Sequence, residues 1–201
     1  LIPAMKLRLS EPGALIDIAG LDELKGINKD GDNLRIGALT THAEIESSEL
    51  VNDLSNALAE AAGMIGDPQV RNRGTIGGNV AHADPASDYP GILIALKANI
   101  VTSNRSITVD DFFTGLFETA LQDGEVITEI EVPVLAESTS AAYAKFFNPA
   151  SRYAVVGVGV SLDMNGGTCE SASVGITGAA DHAYRAGGSE SALAGSDLDE
   201  E

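Results

Sequence analysis

Residues Arg71–Pro90 read RNRGTIGGNVAHADPASDYP, with Gly74, Gly77, Gly78 and Asn79 crowded together, two arginines ahead of them, and Asp84 and Asp88 behind. A phosphate is held well by several backbone N–H groups converging on it, and glycine permits the positive φ and close approach that this requires. The Thr75 hydroxyl and Asn79 amide add polar contacts. Arg71 and Arg73 could each contribute ~1.5–3 kcal/mol through a charged hydrogen bond to an anion. The stretch lacks the G-x-x-x-x-G-K-S/T pattern of a P-loop and the G-x-G-x-x-G that opens a Rossmann helix. Gly157 and Gly159, in VVGVGVSL, come nearest to the second pattern, but the third glycine is missing and the run reads as a strand. Spacing alone also fits a tight turn between two elements, with the arginines solvating a helix end.

The rest of the chain sets that basic spot in an acidic background. Asp and Glu number 30 against 12 Lys and Arg in 201 residues, a formal charge of −18. That balance argues against nucleic acid or an anionic membrane surface as partner, since both need a basic footprint. It fits a salt-rich habitat and an ordinary acidic cytoplasmic protein equally. Screening beyond ~8 Å leaves local charge to decide what the arginines hold. No run approaches the ~20 apolar residues of a membrane-spanning helix. The single cysteine, Cys169, excludes an internal disulfide or a four-thiolate cluster built by this chain alone, and reads as a small buried hydrophobe in a strand. His42, His82 and His182 are too scattered for a zinc signature, so no metal site is expected. No G-x-S-x-G and no Cys/His pair suggests a nucleophile, so no catalytic residue is assigned. Tyr143, Phe146 and Phe147 read for the most part as strand core, with a wall for a flat aromatic ligand left open.

Periodicity supplies the frame. Leu15–Ile18 and Leu34–Leu39 read as strands, the second after the Asp30-Gly31 turn. From Asp53 to Ile65 the apolar residues recur at helical spacing, with Gly66 placed to end the helix. A second helix is expected from Ser87 or Asp88 to Lys97, with Pro90 in its first turn. Strands follow at 99–103, 105–109 and 125–132. The polar stretch Leu135–Ser140 reads as a linker or a long turn. Beyond it, 141–147, 153–163 and 168–179 read as strands, and 187–194 as the start of a helix. This gives an α/β part to residue 134 and a sheet-rich part from residue 141.

With those elements in place, the segment IGDPQVRNRGTIGGNVAHADPASDYP resembles the second flavin-binding segment of the FAD-carrying medium subunit of molybdenum hydroxylases, the carbon monoxide and xanthine dehydrogenase family. The runs LIPAMKLRLSEPGALIDIAGLDELKGI, LRIGALTTHAEIESS, FFTGLFETAL, GEVITEIEVP and AYAKFFNPASRYAVVGVGVSL fall in that family's order, so the resemblance covers essentially the whole chain. It implies an α+β chain with a PCMH-type (vanillyl-alcohol-oxidase-like) FAD-binding fold over 1–134, followed by a sheet-rich α/β C-terminal domain over 141–201. It also implies an Ala-Gly-Gly-x-Ser loop ahead of Leu1, so the chain reads as cut short at both ends.

The resemblance assigns FAD contacts to Thr75, Ile76, Gly77, Gly78 and Asn79, and to Asp84, Asp88, Ile65, Ile127 and Lys145. Arg73 joins them as the local counter-charge, and Leu1 is counted with them. An aspartate beside a diphosphate would repel it, so Asp84 and Asp88 are expected at hydroxyls or as helix caps. The function implied is that of a cytoplasmic oxidoreductase subunit. Its FAD passes electrons from the 2Fe–2S clusters of a small subunit to NAD⁺ or another acceptor. A large subunit carries the molybdenum cofactor, and the assembly is a dimer of heterotrimers. Two other readings remain: a stand-alone flavin oxidoreductase of the same FAD fold, and a non-catalytic assembly module that has lost FAD.

Overall fold

The computed structural model describes residues 2–198. Helix α1 (Ile2–Lys6) is followed by a stretch without helix or strand, up to a 3-10 turn at Asp22–Leu24. The strand expected at 15–18 does not form, and Leu15 and Ile16 are 57% and 87% exposed. An apolar run becomes a strand only where a neighbour supplies the ladder, and here Asp17 Oδ1 instead accepts the Ala19 N–H in a local turn.

Strands β1 (Ile27–Asp30) and β2 (Asn33–Gly37) form a hairpin around Gly31, which sits at φ +58°. With β3 (Asn99–Thr102), β4 (Ser106–Thr108) and β7 (Ile127–Pro133) they build an antiparallel sheet in the order β1-β2-β7-β3-β4. Its register aligns Ile36, Ile130, Ile100 and Ile107 in one row, all of them buried. Alternation puts these residues on one face, in one core with residues of most of the helices between β2 and β3. The helices between these strands are α2 (His42–Ser47), α3 (Glu49–Met64), α4 (Pro68–Arg71), α5 (Ile76–His82) and α6 (Asp88–Ala95).

Helix α3 starts four residues earlier than its apolar period suggests, because the Ser48 side chain accepts the Val51 N–H and caps it there. It breaks at Ser55 (φ −160°, ψ 63°) and ends at Ile65 and the left-handed Gly66, as expected. A short helix α7 (Val109–Phe112) leads to the small hairpin β5 (Phe113–Gly115) and β6 (Glu118–Thr119).

From Thr139 the chain forms a second antiparallel sheet of β8 (Thr139–Phe147), β9 (Ala154–Asn165), β10 (Thr168–Thr177) and β11 (Tyr184–Arg185), ordered β11-β10-β9-β8, and ends in α8 (Gly187–Leu193). The fold is thus mixed helix and sheet, as the resemblance implied. Cys169 is buried in β10, as expected of it. Phe146 and Phe147 differ from the expected core role. They are 72% and 50% exposed, at the end of an edge strand where no layer of the described residues covers them.

Helix α6 joins the two sheets. All eight of its residues are buried, so it shows no polar stripe. One side packs on α3 and α5, the other on β9 and β10. The second sheet reaches the helix backbone through glycines: a Cβ at Gly159 would stand 2.7 Å from Ile92 Cα, and one at Gly175 would collide with the Gly91 carbonyl oxygen.

Candidate functional site

Between the loop that follows α3, the start of α5, the first residues of α6 and the β8–β9 turn lies a cleft of about 450 Å³. That is within the roughly 300–1,000 Å³ range of small-molecule and cofactor sites. Its walls include Ile65, Arg73, Thr75, Gly78, Asn79 and Asp88 from the expected set. Ile76 and Gly77 belong to the same helix but turn into the core. Gly77 donates its N–H to the Ala38 carbonyl (2.9 Å), and a Cβ on it would lie 2.5 Å from that of Ala38. Ile127 is buried in the first sheet's core, 5% exposed. Asp84 accepts the Ala86 N–H (2.9 Å) in the turn between α5 and α6. Leu1 lies outside the described residues.

What looked like a glycine loop is, from Ile76 on, a helix. Thr75 caps it by accepting the Gly78 N–H, and Ile76 N–H donates to the Thr40 carbonyl (3.0 Å). The first-turn donors are therefore used by the protein, and Gly74, Gly77 and Gly78 do not have positive φ. The expected nest of converging N–H groups is absent here. The glycines serve close approach instead, in particular Gly77 against the end of β2.

Charge comes from side chains. Arg71 does not face a ligand: its Nε donates to Glu46 (2.7 Å) and its Nη1 to the Ile65 carbonyl. Arg73 and Arg152 both line the cleft, and neither has an ion-pair partner among the described residues. Asn79 accepts from the Ser87 hydroxyl, which leaves its amide donors for a ligand.

Asp88 closes one end. Its Oδ1 accepts from the Tyr143 hydroxyl (2.7 Å) and its Oδ2 from Lys145 Nζ (2.8 Å), both on β8. Burial pushes the Asp88 carboxyl above its ordinary pKa, against the hydrogen bonds from Lys145 and Tyr143 that pull it down. The aspartate thus faces a phenol and an ammonium, and Ser87 precedes it at the helix start without a side-chain cap bond. Lys145 also borders a second cavity of about 230 Å³ with Met64, Phe147 and Arg152.

The sequence reading missed His42, Arg152 and Tyr153, which reach the cleft from distant parts of the chain. His82, at the end of α5, is a further wall of the cleft. The ring packs on Phe117 with centroids 5.2 Å apart.

Two arginines without ion-pair partners among the described residues, amide and hydroxyl donors, and an aliphatic wall at Ile65 and Val70 suit an elongated anionic ligand with an apolar body. These features define a protein that holds a nucleotide-type cofactor at the junction of two sheets, and the residues present fit FAD.

Two family models match the chain: the FAD binding domain in molybdopterin dehydrogenase over residues 1–135, and the CO dehydrogenase flavoprotein C-terminal domain over 141–201. The carbon monoxide dehydrogenase medium chain of Hydrogenophaga pseudoflava is 41% identical over 199 residues, covering 97% of this chain and 69% of that protein. The glyceraldehyde dehydrogenase medium chain of Sulfolobus acidocaldarius is 40% identical, covering 92% and 67%. Among solved structures, carbon monoxide dehydrogenase from H. pseudoflava lacking the Mo-pyranopterin moiety of its molybdenum cofactor superposes with a TM-score of 0.95, over 99% of this chain and 71% of that one. The chain belongs to the family of FAD-binding medium subunits of molybdenum hydroxylases, and is an oxidoreductase subunit of that family.

Proposed function

We propose that this chain is the electron-transfer subunit of a molybdenum hydroxylase, with an FAD-binding part over 1–134 and a C-terminal part over 141–201. The observation that carries the reading is the cleft where Arg73 and Arg152 stand without ion-pair partners among the described residues, in a chain of charge −18. Arg73 and Arg152 bind the diphosphate. Thr75, Gly78 and Asn79 flank it, and Ile65 provides apolar contact. Ile76, Gly77, Asp84 and Ile127 shape the cleft from behind, and Leu1 belongs with the contacts. Asp88 and Lys145 fix the end where the two sheets meet. When bound, FAD supplies the redox chemistry that links the 2Fe–2S clusters of a small subunit to NAD⁺ or another acceptor. Substrate oxidation belongs to the molybdenum cofactor of a large subunit. One cysteine cannot hold the clusters, so partners must, and we place the complex in the cytoplasm as a dimer of heterotrimers.

The test is reconstitution of the full-length protein with FAD. Flavin absorbance is expected, and Arg73→Ala should weaken binding by roughly 10–150-fold, the value of one charged hydrogen bond. A colourless protein would overturn the reading and leave an assembly module. Purification from its native host with a cysteine-rich small chain and a large chain is expected; a flavoprotein that purifies alone would point to a stand-alone oxidoreductase.

A further inference from the structure

His42 reaches the cleft from outside the segment that supplies most of its walls. It is the first residue of α2, behind the Thr41 cap, and is 3% exposed. Its backbone N–H donates to the Gly74 carbonyl (3.0 Å), which fixes the ring beside the segment leading into α5. The ring meets Tyr89 edge-on, and Nδ1 lies 3.2 Å from the Tyr89 hydroxyl. The other nitrogen, Nε2, has no hydrogen-bond partner among the described residues and is not sealed from solvent, and the residue lines the cleft. Gly74 leaves the room: a Cβ there would stand 2.5 Å from Nε2.

Tyr89 decides the tautomer. It is fully buried, and His42 Nδ1 is the one side-chain hydrogen-bond partner its hydroxyl has among the described residues. A buried hydroxyl proton without an acceptor is costly, so the Tyr89 O–H donates to an unprotonated Nδ1. The ring proton then resides on Nε2. Burial, with the neighbouring Arg71 charge, holds the ring neutral by lowering its pKa to about 4.

Resting on the FAD reading above, we propose that His42 is a cofactor-binding residue whose Nε2–H donates a hydrogen bond to an acceptor atom of FAD, with Tyr89 as the positioning residue that fixes this tautomer. Such a donor carries no charge to be screened and stays the same across the physiological pH range. It therefore adds orientation where Arg73 and Arg152 add attraction.

The test uses the full-length protein and FAD, with affinity read from flavin fluorescence and folding from the melting curve of the apoprotein. His42→Phe keeps a ring of similar shape without a donor and should weaken FAD binding about tenfold. His42→Gln returns an N–H near the position of Nε2 and should recover most of that loss. In the wild type, ¹⁵N resonances of the imidazole should show a protonated Nε2 whose signal moves when FAD is added. Unchanged affinity in His42→Phe, or an Nε2 signal that FAD does not move, would overturn the inference while leaving the FAD reading intact. Failure of the wild type to bind FAD would overturn both. If His42→Phe does not fold, the wild-type resonance decides alone.

Discussion

Lys145 Nζ lies 2.8 Å from Asp88 Oδ2, and the two side chains are 3% and 6% exposed. Lys145 also donates to the Met64 carbonyl (3.1 Å) at the end of α3, while Tyr143 donates to the other Asp88 oxygen. Burial and the nearby carboxylate push the Tyr143 phenol above its ordinary pKa, so it remains a donor. One carboxylate at the start of α6 thus binds β8 of the second sheet to the helices of the first.

Removing one partner of this pair should cost far more than removing both. Lys145→Met leaves a buried carboxylate unpaired and is expected to destabilise by about 3–5 kcal/mol. Asp88→Asn combined with Lys145→Met should recover much of the loss. Urea denaturation of the four proteins measures the coupling directly.

Gly77 and Gly188 are both helical glycines, in opposite surroundings. Gly77→Ala forces a methyl group against Ala38 and should cost about 1–3 kcal/mol, the usual penalty of overpacking. Gly188→Ala, with nothing within 4 Å of the new Cβ, should be neutral or stabilise by up to about 1 kcal/mol through helix propensity. A shared response to the two substitutions, read from urea midpoints, would contradict the packing role assigned to Gly77.

Acid should act in two windows. His42 is neutral in the fold with a pKa lowered to about 4 from 6.5, so the unfolded chain takes up the proton first. Its contribution is present above pH 6.5 and is lost as pH falls towards 4, on the order of 3 kcal/mol in all. Glu125 accepts from Arg105, Thr102 and the Gln122 N–H, which lower its pKa from 4.5 to about 2. Its contribution is present above pH 4.5 and is lost from there down towards pH 2. Stability measured against pH should flatten above 4.5 in His42→Phe, and below 4.5 in Glu125→Gln.

Salt should have opposite effects on folding and on FAD binding. With a charge of −18 the folded chain repels itself, and screening to ~3 Å at 1 M salt should raise the melting temperature of the apoprotein. The same screening weakens what Arg73 and Arg152 offer a diphosphate, so FAD affinity should fall over the same range. Affinity that rises with salt would count against the arginines as anchors.

Much of this fold was legible because its signals are local. The turn at Gly31, the end of α3 at Gly66 and the start of α6 before Pro90 each follow from residues within a few positions. Helix α5 was hidden because two glycines in one turn contradict helix propensity, and tertiary packing on Ala38 overrides it. The cleft was half legible. Arg73, Thr75, Gly78 and Asn79 share one segment, whereas His42 precedes it by more than thirty residues and Arg152 follows it by more than seventy. Exposure also misled at Leu15 and Ile16, where an apolar run carries no information about whether a partner strand exists.

Gly159 and Gly175 bring the second sheet directly onto α6. Backbone rests on backbone there, so the spacing between sheet and helix is set by covalent geometry and leaves no rotamer to adjust. The turn that carries Arg152 and Tyr153 hangs from that same sheet. The aperture of the cleft is therefore gauged at a point remote from its own walls, and a single methyl group added at either glycine would change it as a lever does, with the largest displacement at the far end.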